Sequence, residues 1–96
     1  MEEETPISLE DLKFIVRDEY ELIVGLARHH AFCPTCIKNG EKPEMINFKL
    51  YLSELDDVTF EGTCKNCENK IARYVGIGEA PEFSHRAGIV KSRNGN

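Results

Sequence analysis

The 96-residue chain has no tryptophan, and no apolar run in it approaches the roughly 20 residues needed to span a bilayer. It lacks the motifs that announce common enzyme chemistries. No Gly-x-Ser-x-Gly or His-Glu-x-x-His occurs, and Gly76-Ile77-Gly78 lacks the third glycine, the lysine and the following helix that a phosphate loop needs. A dense basic face is missing too. The net charge of −5 argues against a dedicated duplex-DNA binder, because counterion release by Lys and Arg supplies most non-specific affinity. The opening run of glutamates is unlike a secretory signal. These absences lead us to expect a soluble, cytoplasmic protein that is not an enzyme and does not enter a membrane.

What is present is cysteine, in two hooks. Cys33-Pro34-Thr35-Cys36 and Cys64-Lys65-Asn66-Cys67 contain all four cysteines. A Cys-x-x-Cys turn lets two thiolates reach one metal, and two such hooks complete a tetrahedral sulfur shell. The expected ligands are Cys33, Cys36, Cys64 and Cys67, holding one zinc per chain. Iron in a rubredoxin-like site uses the same thiolates, so ligand type leaves it open. A thioredoxin-type pair would suit the first hook alone and leave its twin unexplained, and two disulfides would require an oxidising compartment. His29 and His30 precede the first hook, but four cysteines already close the shell; the pair is read as helix-end residues favoured by the helix dipole.

Two hooks flanked by strand-like segments resemble the zinc-ribbon fold group over residues 32–75. The resemblance implies two knuckles carried on hairpins and leaves function open, since ribbons serve transcription, translation and protein scaffolding. The expected fold is small α+β, an N-terminal amphipathic helix packed on a three-stranded antiparallel zinc ribbon.

Along the chain, residues 1–7 read as a flexible acidic lead, residues 8–78 as one helix-plus-ribbon domain, and residues 79–96 as a partly disordered tail. Ser8 stands as an N-cap with Glu10 and Asp11 in the first turn, and a helix is predicted over 9–30. Leu12, Ile15, Val16, Ile23, Leu26 and Ala27 recur at helical spacing. That stripe covers more of the helix than one ribbon can bury, and Phe14 falls outside it. Phe14 and Leu22 are therefore candidates for self-association. Ile46, Phe48, Leu50 and Leu52 alternate as a first strand, Val58 and Phe60 as a second, and Ile71, Arg73 and Val75 as a third. Between hook and strand, Asn69 is the candidate for a left-handed backbone.

Charge divides unevenly. Residues 1–63 carry 14 acidic and 6 basic side chains, whereas residues 64–96 carry 3 and 6. Two function classes follow. One is an interaction module, a regulatory or accessory protein that binds another protein or forms a homodimer. The alternative is a nucleic-acid-binding ribbon of transcription or translation, using Lys65, Lys70, Arg73, Tyr74 and Arg86, with Lys91 and Arg93 nearby.

Overall fold

The computed structural model describes residues 4–94. Its elements are β1 (Thr5–Ile7), α1 (Leu9–Val16), a 3-10 turn (Arg17–Glu19), α2 (Tyr20–His29), α3 (Pro34–Lys38), β2 (Met45–Leu52), β3 (Val58–Cys64), β4 (Lys70–Val75) and α4 (Pro81–Asn94). The strands form one antiparallel sheet in the order β1-β2-β3-β4. The fold is small α+β with four strands, where the sequence reading has three.

The extra strand comes from the expected flexible lead. Thr5, Pro6 and Ile7 pair with Leu52, Tyr51 and Leu50, and Pro6 is tolerated because β1 is an edge strand. Residues 1–3 of that lead lie outside the described residues. Ser8 then caps α1 through a reciprocal box: its Oγ accepts from the Asp11 N–H at 3.0 Å, and the Asp11 carboxylate accepts from the Ser8 N–H at 3.1 Å.

The helix predicted over 9–30 is broken at Arg17, whose positive φ of 52° lies outside the helical region. A straight helix of that length would run about 33 Å, past the ends of a sheet whose longest strand extends about 27 Å. The break divides two packing roles: α1 lies against α4, while α2 crosses β2 and β4. Leu12, Ile15 and Val16 of α1 and Ile23 and Ala27 of α2 are buried, as their spacing predicts.

Residues 79–96 are also corrected. Instead of a partly disordered tail, Pro81 opens a helix at the first position, where its missing N–H has no helical partner to lose. Ala87 and Val90 are fully buried and Phe83 packs at their side. Residues 95–96 lie outside the described residues. This helix covers the apolar surplus of α1. Phe14 is half-buried, with the Arg93 guanidinium 5.3 Å and that of Arg17 5.8 Å from its ring centroid, so part of its ring is covered within the chain.

The sheet has a slip that strict alternation could not foresee. A bulge between Ile46 and Lys49, with Asn47 at φ 54°, shifts the register. Met45 is buried before the bulge, and Leu50 and Leu52 after it. Gly62 faces this irregularity. A Cβ there would lie 2.6 Å from Met45 Cγ and 2.7 Å from the Ile46 carbonyl oxygen.

Candidate metal centre

Each hook sits at the start of a different local structure. The second lies in the β3–β4 hairpin, as the ribbon plan has it. The first does not lie in a hairpin: Cys33 precedes α3, Pro34 takes the first helical position, and the Ile37 N–H donates to the Cys33 carbonyl at 3.0 Å. Gly40, at φ 74°, ends that turn, where Asn39-Gly40 marks it in the sequence.

Backbone and amide bonds then tie hook to hook. Asn69 donates its side-chain N–H to Thr35 Oγ1 at 2.9 Å, and Asn66 donates to the Lys42 carbonyl at 2.8 Å. The Lys65 N–H donates to the Glu44 carbonyl at 2.8 Å. In the second hook the left-handed residue is Glu68 (φ 65°), not Asn69. The reason is local. The Cys64 N–H donates to the Asn69 carbonyl and the Glu68 N–H to the Cys64 carbonyl, both at 2.8 Å, and this closed turn reverses the chain at Glu68.

The result brings together all four cysteines. Their Sγ atoms lie within 4.8 Å of one another; Cys33 and Cys67 are 3.2 Å apart, Cys36 and Cys64 3.4 Å. Metal–sulfur bonds of about 2.3 Å in a tetrahedron put the sulfurs about 3.8 Å apart, so the cluster has the right size for one metal ion. Cys33, Cys36 and Cys64 are fully buried and Cys67 is half-buried.

The electrostatics also suit a cation. Burial, followed by the contact with Cys64, pushes the Cys36 thiol up to about 12. At Cys64 burial acts upward too, but the N–H groups of Cys67 and Asn66 and the neighbouring thiols outweigh it and bring the thiol down to about 6. At Cys67 the Asn69 N–H acts downward, and contact with Cys33 together with burial reverses it, raising the thiol. One thiolate is thus prepared by backbone donors, and its charge opposes ionisation of its neighbours. A bound dication removes that conflict.

The other named residues do not converge. His29 and His30 are exposed and stand outside the cysteine group. Among the nucleic-acid candidates, Lys65 is exposed on the second hook, and Lys70 and Tyr74 lie on the open face of β4. Arg73 points to the opposite face, where its Nη1 donates to the His30 carbonyl at 3.3 Å, at the end of α2, and its Nε is buried. Arg86 is half-buried between α4 and α1, its Nε donating to the Ile15 carbonyl at 2.7 Å. Leu22 remains 60 % exposed.

Asp56 and Asp57 lie in the link between β2 and β3. Asp57 accepts from the Tyr74 hydroxyl and from the Gly78 N–H at 2.7 Å. Asp56 accepts from Ser84 Oγ at 2.7 Å and pairs with Lys91 at 2.6 Å. These partners are far away in the chain, so no local spacing signals them. Comparison with protein-family models, curated proteins and solved structures finds no match to the chain.

Proposed function

We propose that the chain is a structural-zinc interaction module, a small regulatory or accessory protein of the cytoplasm whose hooks are stapled by one zinc ion held by Cys33, Cys36, Cys64 and Cys67. The observation that carries this reading is the compact four-sulfur cluster, three of whose cysteines are fully buried. Four thiolates fill a tetrahedron and leave no position for a reacting water, which supports a staple over a catalyst. Bound zinc would supply charge neutralisation and a cross-link between the hooks. The chain's own residues set the geometry: Asn66 and Asn69 fix one hook against the other, and α3 aims Cys36 inward.

Binding a protein is favoured over binding nucleic acid by the scatter of the five candidate cations and aromatics. Arg73 and Arg86 are engaged with backbone carbonyls and Tyr74 with the Asp57 carboxylate, which leaves Lys65 and Lys70 as a sparse pair. Elemental analysis of protein purified without added metal is expected to find one equivalent of zinc; one equivalent of iron would replace the metal assignment. Anisotropy titrations with single-stranded and duplex DNA and RNA at two salt concentrations are expected to show no submicromolar binding near physiological salt. Such binding, with a salt slope reduced by about 2 in Lys65→Ala/Lys70→Ala, would replace the module by the nucleic-acid reading.

A further inference from the structure

One apolar groove lies well away from the hooks. Leu22 and Leu26 of α2 form one wall, Val75 and Ile77 the floor, and Phe83 of α4 the second wall, around a cavity of about 340 Å³. Leu22 stands at its lip, 60 % exposed. The floor is fixed from behind: Asp57 holds the Gly78 N–H and the Tyr74 hydroxyl, and a Cβ at Gly78 would meet the Leu55 carbonyl oxygen at 2.0 Å. The groove is therefore preformed, which lowers the ordering cost of binding. Gly25 shares the helix face of Leu22 and Leu26. An added Cβ there would meet nothing within 4 Å, so nothing inside the chain requires the bare backbone that it offers.

The charged residues lining the groove are Glu19 and Glu79. Arg86 lies 5.7 Å from the Phe83 ring centroid and is committed to the Ile15 carbonyl. A second copy docked by a twofold axis would bring the acidic rims of both copies together, where like charges repel. A partner with cationic flanks meets the opposite situation.

We propose that this groove binds an amphipathic helix of another protein, whose apolar side chains at i, i+3 or i+4 enter beside Leu22 and whose flanking Lys or Arg residues pair with Glu19 and Glu79. The inference rests on the interaction-module reading and supplies its partner class.

The test uses metal-loaded, nitrogen-15-labelled protein and synthetic helices of about 18 residues, five turns, with a leucine stripe flanked by lysine or, in a matched peptide, by glutamate. The lysine peptide is expected to bind about tenfold tighter than the glutamate peptide, with amide shifts in α2 and residues 75–83. Glu19→Lys/Glu79→Lys should reverse that preference. Leu22→Asp should weaken binding at least tenfold, and Leu22→Ala, which alters the fold less, should weaken it by a smaller factor. Four results would overturn the proposal: no binding of either peptide, equal binding of both, shifts confined to Phe32 and Ile37, or a dimer in sedimentation that Leu22→Asp converts to monomer. Shifts at Phe32 and Ile37 defeat the groove alone, whereas the nucleic-acid titrations above defeat the module reading whatever the peptides do.

Discussion

The two ends of the molecule are held by different physics. At the hook end the fully buried side chains are chiefly sulfur, and the neighbouring large apolar residues face outward: Phe32 is 64 % and Ile37 55 % exposed. At the other end, Leu12, Ile15, Val16, Ala87 and Val90 form a dry core between α1 and α4. Long-range polar clasps surround it. Arg86 reaches the Ile15 carbonyl, Lys91 and Ser84 reach Asp56, and Asn94 reaches Asp11 at 2.8 Å. A chain of this length has too little apolar surface to staple every part of itself. Carbon supplies the core at one end, and at the other four cysteines stand where they could hold a metal ion.

Removing the metal should therefore have the largest effect, and an uneven one. Structural zinc contributes on the order of 10 kcal/mol to small zinc peptides, comparable with the whole stability of a domain. Chelation, or Cys64→Ser, is expected to abolish hydrogen-exchange protection around both hooks first, with the α1–α4 amides retaining more. A metal-free protein with an unchanged cooperative melt would break the comparison. A second perturbation acts at the opposite end. Gly78→Ala places a Cβ against backbone, which a side-chain rotation cannot relieve, so a loss of about 1–3 kcal/mol is expected in denaturant melts at unchanged metal content. Loss of metal in that variant would mean that the two ends do not act separately.

What could be read from the sequence follows the same division. The four-cysteine cluster was legible because two Cys-x-x-Cys hooks encode it locally, and β2, β3 and β4 because their alternation is local. The Ser8 cap and the buried face of α1 and α2 were legible for that reason too. β1 was not, because Thr5-Pro6-Ile7 is too short to show a period and contains a residue that discourages a strand assignment. The α4 helix was weakly encoded. Phe83, Ala87 and Val90 do recur at helical spacing, but Gly88 and two serines dilute the pattern and the buried positions are small. The excess apolar surface on the first helix signalled a missing partner. The partner turned out to be the chain's own C-terminal helix, which no stretch of α1 could identify. Asp56 and Asp57 were unreadable for the same reason: a carboxylate in a turn looks solvated until its partners arrive from residues 74–91.

The smallest expected effect concerns that last pair and distinguishes the ends by pH. Burial tends to raise the Asp57 carboxyl, but the Tyr74 hydroxyl and the N–H groups of Gly78 and Ile77 outweigh it and hold its pKa below the ordinary 3.8. A group depressed on folding stabilises the fold fully above its unfolded pKa and loses that contribution as pH falls through the folded value. The clasp at Asp57 should accordingly persist to below pH 3.8 and weaken only under more acidic conditions. The hooks should fail earlier. Metal binding requires deprotonated thiols, which compete with protons at pH values well above the carboxylate range. Carboxyl-carbon NMR of Asp57 during acidification, with metal release followed in the same sample, is expected to show release first and a carboxyl midpoint below 3.8 second. In Asp57→Asn, metal release should keep its midpoint while the melting temperature loses part of its dependence on pH in the acid range. A carboxyl midpoint at or above 3.8, or a shift of the metal-release midpoint in that variant, would show that the clasp does not hold its end of the molecule independently of the hooks.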